Sequence, residues 1–296
     1  MLSAPANMLV RWATPVLNNP EGESTLAIRW GTNGQRCFES GRERFAVDDT
    51  SYLVFNQGRR FSSTIDSQTV VDNCTICFDA GLAADILRAL ITPDDKLLDN
   101  PTQDMWPPQI NFVEKSTPHD SLVSPHLFKI HKYCETEIAT RAWLEESFRD
   151  TLVALLQAHR NVFREIETLP AARPSTRAEL YHRLHRARDF MEASLFSPIT
   201  IPEIASVAWF SPHHFLRLFK HAFGETPHQY LTRRRLYYAR HLLTRSEISV
   251  TDICSEIGFE SLGSFSLLFR KHVGISPEAY RMQTRRRVHS VPQPVD

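Results

Sequence analysis

The chain has no long hydrophobic run: its apolar stretches are short and interrupted, whereas a membrane-spanning helix needs roughly 20 apolar residues. It also lacks a basic start followed by an apolar segment, so the sequence predicts no secretory signal. Cysteine is scarce, with five residues in 296, and the odd number does not favour a disulfide framework. We therefore expect a cytoplasmic protein with reduced thiols and no membrane partner.

Signatures of catalysis are absent as well. The chain contains no Gly-rich phosphate loop, no GxSxG elbow and no HExxH helix. The strand-like region between Thr25 and Phe78 contains no histidine, which disfavours a metal-dependent enzyme built on those strands. The sequence thus predicts no enzyme activity, no cofactor and no metal.

A single cysteine pair is the main candidate for another chemistry. Cys74 and Cys77 have the spacing of half a zinc site or of a redox pair. No second pair follows at a suitable spacing, so we interpret both as structural thiols. The other metal-ligand candidates, which only tertiary folding can bring together, are His126, His131 and Cys134.

A formal net charge of zero conceals an uneven distribution. Residues 175–296 hold 17 Lys+Arg against 11 Asp+Glu, and residues 1–174 hold 17 against 23. A basic part joined to an acidic part favours a polyanion as the partner of the basic part. Nucleic-acid binding is one hypothesis that this asymmetry allows.

The first part of the chain has the pattern of strands followed by helices. Between Thr25 and Phe78, β-branched and aromatic residues fill short segments separated by Gly, Asn and Asp, which is typical of a small antiparallel barrel or sandwich. A short helix is predicted from Asp79 to Leu90, followed by a proline-rich loop around 101–108. The predicted strand segments are TLAIRW, RCFES, RFAVDD, SYLVFNQG, SSTIDS, QTVVDN and CTICFD.

A helical pattern follows from about Glu135 to Leu169. Apolar residues recur in it at intervals of four and three, which places them along one stripe of a helix. The stripe is interpreted either as a homodimer surface, through residues 143–169, or as the face that packs on the chain's own barrel. Its members are Phe148, Leu152, Leu155, His159, Val162, Ile166 and Leu169.

Two prolines, Pro170 and Pro174, separate this pattern from the next helix, and proline cannot continue a helix interior. We therefore place the domain boundary in a linker at 170–175. After it, helix start signals are dense, and capping boxes are predicted at Thr176 and Thr200. The other predicted N-cap residues are Ser211, Thr226, Ser249, Ser261 and Ser276.

An internal repeat is the strongest feature of the sequence. The segment Ile201–Tyr230 matches Val250–Tyr280 at an offset of 49 to 50 residues, with one extra residue at Glu260. Each copy consists of a short helix, a tight turn and a second helix opened by a serine. This is the outline of a helix-turn-helix, whose second helix lies in the major groove.

The second helix of the first copy has two distinct faces. The face predicted to be core carries Phe215, Leu218, Phe219 and Ala222. The opposite face carries His213, Leu216, Arg217 and Lys220. An arginine in the major groove can make two parallel hydrogen bonds to guanine, worth about 1–3 kcal/mol of discrimination. A solvated face is the alternative for a single copy, but two copies in a basic domain favour DNA binding.

A helix from about Pro227 to Thr244 connects the copies. At about 1.5 Å per residue it spans less than about 30 Å. Such a spacer can set two reading helices about one turn of duplex apart, roughly 34 Å. It carries Arg233, Arg234 and Arg235, which we expect to contact phosphates, with a solvated surface as the alternative for each.

A resemblance to the AraC/XylS family of bacterial transcription regulators is carried by FSPHHFLRLFKHAFGETPHQYLTRRRLYYARHLL and ISVTDICSEIGFESLGSFSLLFRKHVGISPEAYR. The match covers about Arg177 to Arg281. The resemblance implies a cupin-like amino-terminal domain that senses a small molecule or mediates dimerisation. It also implies RNA polymerase as a partner and a bacterial cytoplasm as the location.

Carried over by position, the resemblance implies which residues read bases. In the first copy these are Pro212, His213, His214, Leu216 and Arg217. In the second copy, Ser264 and Ser266 are the polar candidates, because Leu262, Gly263 and Leu267 stand where family members commonly carry polar residues and an arginine.

This departure predicts a division of labour between the copies. Leucine offers only apolar contact with a thymine methyl group, and glycine offers no side-chain contact. We therefore expect the first copy to carry most of the base specificity. The predicted phosphate contacts are Lys220 in the first copy and Arg270 and Lys271 in the second.

Side chains of the strand region are candidates for an effector pocket, with simple core as the alternative. The aromatic candidates are Trp30, Phe38, Tyr52 and Phe55. The candidates for an anionic effector are Arg29, Arg36, Arg59 and Arg60, although surface strands carry arginine routinely.

The predicted fold class is α+β: a cupin-like β-barrel with flanking helices, then an all-α domain of two helix-turn-helix units joined by a long helix. The predicted parts are a regulatory domain (1–169), the linker (170–175), a double-stranded-DNA-binding domain (176–287) and a tail (288–296). The predicted function is transcription regulation, as an activator that responds to a small molecule or acts as a dimer. The alternatives are a ligand-independent DNA-binding protein with a scaffold domain, and a cupin-type enzyme tethered to DNA.

Overall fold

The structure is a computed structural model that describes residues 7–91, 110–135 and 140–289. The chain divides into two compact units, Met1–Asp189 and Phe190–Asp296. The division falls inside a helix, Pro174–Ala193, and not in the segment at 170–175 that the prolines indicate. The linker and the four parts stay predictions.

Seven antiparallel strands of the first unit form one sheet that curls into a nearly closed barrel. Neighbours follow the order β4-β3-β6-β2-β5-β7, and β1 pairs with β6. Contacts of β4 with β5 and β7 bring the ends of the sheet together. The strands are β1 (Met8–Glu23), β2 (Ala27–Thr32), β3 (Arg36–Ser40), β4 (Glu43–Val47), β5 (Ser51–Phe55), β6 (Arg60–Cys77) and β7 (Ser116–Pro118). The predicted α+β class with an amino-terminal barrel is confirmed.

Strand β6 corrects the predicted segmentation. Its 18 residues were expected as three strands, SSTIDS, QTVVDN and CTICFD, but no Gly or Pro interrupts them, and they form one strand whose pairing with β1 is irregular between Asp66 and Val71. Strand β1, which precedes the predicted region, pairs with β6 from Met8 opposite Cys77 to Glu23 opposite Arg60. Two prolines within its 16 residues hide β1 from sequence patterns; as an edge strand it tolerates proline.

Helices pack against the barrel, and one of them carries the apolar stripe predicted between Phe148 and Leu169. Among the described residues of the first unit, the helices that follow β6 are α1 (Leu82–Ile91), α2 (Ser124–Glu135) and α3 (Arg141–Glu167). Phe148, Leu152 and Leu155 of α3 belong to the same buried core as the barrel strands. These contacts favour the interpretation that the stripe packs on the chain's own barrel, and the homodimer through 143–169 stays a prediction. The proline-rich loop at 101–108 lies outside the described residues.

The second unit is helical. Its helices, with the one that spans the division, are α4 (Pro174–Ala193), α5 (Ile201–Val207), α6 (Pro212–Phe223), α7 (Pro227–Arg245), α8 (Val250–Glu256), α9 (Leu262–Val273) and α10 (Pro277–His289). The capping box predicted at Thr200 begins α5, and the N-cap predicted at Thr226 begins α7, where Gln229 completes a capping box. The box predicted at Thr176 is wrong, because α4 already begins at Pro174.

In the part of the chain that the structure describes, every helix is too short or too polar to cross a bilayer.

Candidate nucleic-acid interface

The two helix-turn-helix copies are held by the same arrangement of aromatic rings. In the first copy the centroids of Phe215 and Phe219 lie 5.4 Å apart, and in the second those of Phe265 and Phe269 lie 5.6 Å apart. A tyrosine of the following helix completes each triad at 5.8 Å and 5.6 Å from the second ring. Edge-to-face packing of buried rings fixes both the depth and the rotation of a helix. The rotation determines which side chains α6 and α9 expose.

Local sequence sets where both exposed helices begin and end. Ser211 is the N-cap of α6 and Ser261 that of α9, where its hydroxyl accepts a hydrogen bond from the amide of Ser264 at 3.2 Å. Glycine ends each helix in the left-handed region, Gly224 at φ 75° and Gly274 at φ 92°. The two helices therefore have the same length of twelve residues.

The exposed face of α6 carries the predicted base-reading residues of the first copy. Pro212, His213, His214, Leu216 and Arg217 are all exposed, and so is the predicted phosphate contact Lys220. One core prediction for this helix is wrong: Ala222 is exposed, because Phe223 supplies the last core contact by packing 4.5 Å from the ring of Phe219.

The exposed face of α9 has a different chemistry. Leu262 is 41% exposed and Leu267 is 71% exposed, so the second copy presents apolar side chains to solvent at positions that match Pro212 and Arg217. Ser264 is exposed and Ser266 is half-buried. Arg270 and Lys271, the predicted phosphate contacts, are exposed.

The turn of the first copy holds a residue that sequence reasoning missed. Trp209 has a left-handed backbone, φ 54°, and its side chain is 58% exposed beside the start of α6. Bulky residues rarely adopt this conformation. The second copy has Gly258 at the equivalent position, at φ 76°. The alignment of the two copies already places tryptophan opposite this turn glycine, and that mismatch was the available signal.

The structure corrects the predicted arginine run on α7. Arg233 is exposed and pairs with Glu225, with Nη2 2.7 Å from Oε1. Arg234 is buried, and its Nε donates to Glu192 at 2.7 Å, so it is not available for a phosphate. Arg235 is half-buried and donates to three backbone carbonyls, those of Leu195, Ser197 and Gly258. The phosphate prediction is wrong for Arg234, and Arg235 serves to join loops to α7.

Comparison with known proteins gives matches to this helical part of the chain. A family model described as "Helix-turn-helix domain" matches residues 204–283. The probable transcriptional regulator LumQ of Photobacterium leiognathi is 36% identical over 97 residues, which are 33% of this chain and 39% of LumQ. The transcriptional activator RhaS of Yersinia pestis is 31% identical over 144 residues, 48% of this chain and 53% of RhaS.

A solved structure is also similar to part of this chain. It is a transcriptional regulator with an AraC-type DNA-binding domain from Chromobacterium violaceum, 32% identical, with a TM-score of 0.33. The match covers 38% of this chain and 95% of that one. The chain spans about half or less of the length of the curated relatives it matches. Residues 204–283 form an AraC-type helix-turn-helix domain.

Within the AraC-type domain, α6 and α9 are the second helices of the two helix-turn-helix copies, and α7 is the spacer between the copies. The spacer has 19 residues, which at 1.5 Å per residue is about 28 Å. The resemblance carried by residues 177–281 is confirmed for this domain.

Outside the AraC-type domain, the aromatic candidates for an effector pocket lie in the barrel core. Trp30, Phe38, Tyr52 and Phe55 are all buried, and the Tyr52 hydroxyl donates to Asp120 at 2.7 Å. Burial and this carboxylate raise the pKa of Tyr52. Trp30 and Phe38 also border a narrow cleft with two arginines.

One cysteine of the barrel contacts a histidine that the sequence also offered as a metal-ligand candidate. Cys74 is buried, and its Sγ lies 3.3 Å from Nδ1 of His131, while Cys77 is half-buried. Within residues 7–91, 110–135 and 140–289, no three His, Cys, Asp or Glu side chains are grouped so that they could hold a metal ion.

Proposed function

We propose that this chain is a sequence-specific DNA-binding transcription regulator whose AraC-type domain reads two adjacent major grooves of one duplex. The observation that carries the proposal is the frame that both copies share, which consists of the ring triad, the serine N-cap and the terminal glycine. This frame presents two helices with cations on their exposed faces. Arg217 and Lys220 lie on one face, and Arg270 and Lys271 on the other. Such faces neutralise phosphates and bring side chains to base edges.

The two reading helices have different roles in this proposal. Arg217 makes a bidentate contact with guanine, and His213 lies one turn earlier on the same face. The second copy holds the duplex mainly through Arg270 and Lys271, which contact phosphates and fix the register. This assignment keeps base specificity concentrated in α6.

The amino-terminal unit supplies regulation. We propose that the barrel binds a small-molecule effector or mediates dimerisation, and thereby biases how the AraC-type domain meets a promoter and RNA polymerase. The chain then acts as an activator and not as an enzyme. A dimer contact on α3 would have to use its outer face, where Phe163 is 55% exposed. A ligand-independent scaffold remains the alternative role for the barrel.

The test begins with selection of bound sequences from random duplex DNA by the full chain. Titration of the selected site and of single-base variants then compares Arg217→Ala with Lys271→Ala. Arg217→Ala should lose about 1–3 kcal/mol of discrimination at one base pair. Lys271→Ala should weaken all duplexes alike and lower the salt slope of binding by about 1.

An exposed lysine of the other unit provides the matched control. Lys132 lies on α2, and Lys132→Ala should change neither property. The proposal is overturned if the full chain prefers no duplex over any other, even in dilute salt. The division of labour is wrong if Arg217→Ala and Lys271→Ala change specificity equally.

A further inference from the structure

Two arginines of the barrel point into its interior. Arg29 of β2 is only 7% exposed, and Arg36 of β3 is half-buried. Both guanidinium carbons lie within 6.0 Å of the centre of the Phe38 ring. The two positive charges therefore share one aromatic site.

Neither arginine has an acidic partner among the described residues. Arg29 Nη2 donates to Ser24 Oγ, and Arg36 Nη2 donates to Ser63 Oγ, both at 2.9 Å. Arg29 Nη1 and Arg36 Nε are buried and have no hydrogen-bond partner in that part of the chain. Buried charges in proteins are normally paired.

Within the described ranges, Glu114 is the one carboxylate that influences the pKa of Arg29, and it already binds other groups. Glu114 raises the pKa of Arg29 only as a minor influence. Its oxygens accept from the backbone amide of Asn56 at 2.8 Å and lie 3.3 Å from Nε of Arg59. It is thus not available as a partner inside the barrel.

Burial without an acidic partner lowers the pKa of both arginines. Burial lowers the pKa of Arg29 to about 10. Burial, and then the charge of Arg29, lower the pKa of Arg36 to about 9. Aromatic faces offset part of the charge: the Phe61 ring lies 4.8 Å from Arg29 and the Trp12 ring 4.9 Å from Arg36. A ring face, however, leaves the in-plane N–H donors unsatisfied.

The space beside the two guanidinium groups is a narrow cleft. Trp30, Val47, Val71 and Asn73 line it with the arginines. Its empty volume is about 210 Å³ including open solvent, but it is nowhere wide enough for a water molecule. A ligand must therefore displace side chains on entry, and its binding would change the shape of the barrel.

We propose that Arg29 and Arg36 form the recognition site for a small carboxylate with a short apolar tail. A carboxylate has two acceptor oxygens, so one can accept from the vacant Nη1 donor of Arg29 and the other from the vacant Nε donor of Arg36. The aromatic and aliphatic walls accept the tail. The inference rests on the proposed sensing role of the barrel and names the chemical class of its effector. Since entry opens the cleft, binding and barrel shape are coupled.

Thermal unfolding of the full chain tests the ligand class. The probes are acetate, butyrate and hexanoate, each matched with the neutral amide of the same chain length. Saturating butyrate or hexanoate should raise the Tm of the barrel by about 2–6 °C, and the amides should leave it unchanged. Absence of a shift with every carboxylate, or an equal shift with the amides, overturns the proposal.

Substitutions test the residues. Arg36→Met and Arg29→Met should each abolish the carboxylate-induced shift, and Arg60→Met, which removes an exposed arginine at the start of β6, should retain it. Without ligand, Arg29→Met should leave Tm unchanged or raise it, because the substitution removes an unpaired buried charge. Loss of the shift in Arg60→Met as well would indicate a general anion effect and overturn the site.

A parallel measurement separates this inference from the proposed function. DNA binding by the wild-type chain is titrated in the same buffers. Sequence-selective DNA binding without any carboxylate response refutes the site and leaves the regulator proposal intact. A carboxylate response without any sequence-selective DNA binding would refute the proposed regulator function and support the carboxylate site.

Discussion

The two helix-turn-helix copies have the same frame and present different chemistry. Both reading helices have twelve residues, a serine N-cap, a left-handed glycine at the end and the same ring triad. The position of Arg217 in α6 is occupied in α9 by Leu267. Duplicated packing therefore does not require duplicated recognition, because core residues and exposed residues occupy opposite faces and vary independently.

The largest effects on stability should come from substitutions in the ring triads of the two copies. Phe219→Ala and Phe269→Ala each delete a fully buried ring and should each cost about 3–5 kcal/mol of unfolding free energy. Chemical unfolding of the full chain measures both. Because the ring geometries agree, the two costs should be similar. A large cost in one copy and none in the other would mean that the frames are not equivalent.

An exchange of residues between the copies should have the next largest effect, on specificity. Arg217→Leu should remove a guanine preference of about 1–3 kcal/mol, and Leu267→Arg should create one in the other half-site. Selection of bound sequences from random DNA with each variant measures these base preferences. Arg217→Lys is the matched control, because lysine keeps the charge and loses the bidentate fork. If Leu267→Arg gains no base preference, α9 does not enter a groove as α6 does.

Substitutions in the turns of the two copies should change the unfolding free energy by smaller amounts and in opposite directions. Gly258→Ala should destabilise the chain by about 1–2 kcal/mol, because φ is 76° and an added Cβ would lie 3.1 Å from the carbonyl oxygen of Phe196. Trp209→Gly should stabilise it by about 1 kcal/mol by relieving left-handed strain. Unfolding free energies of the two variants test both signs. Destabilisation by Trp209→Gly would mean that the contacts of the indole outweigh the strain.

The smallest effects should come from the equivalent cations at the ends of the reading helices. Lys220→Ala and Arg270→Ala should each lower the salt slope of DNA binding by about 1, with little change in sequence preference. Titrations at several salt concentrations measure the slopes. Unequal slopes would show that only one copy meets the phosphate backbone at this position.

The helical part of this chain was largely predictable because its signals are local. Thr200, Ser211 and Ser261 begin helices as predicted, since a cap depends on residues within one turn. The repeat also identified the buried face of α6. The barrel was predicted in class but not in detail: β6 was divided into three, and β1 was missed, since strand pairing joins residues far apart in sequence.

Side-chain roles were the least predictable. Arg233, Arg234 and Arg235 are chemically identical in the sequence, yet one is exposed, one is buried against Glu192 and one binds backbone carbonyls. The difference depends on partners from other helices. The apolar stripe of α3 likewise fitted two interpretations until its contacts with the barrel core were known.

The sequence by itself determined where the helices of the two copies begin, the duplicated helix-turn-helix unit and the uneven charge, because these follow from short-range periodicity, capping and composition. Tertiary structure alone decided which arginines are exposed, which surface α3 covers and that Arg29 and Arg36 meet inside the barrel. The physical reason is that the free energy of a charged side chain depends on its desolvation and its partners. Both are fixed only when distant segments pack together.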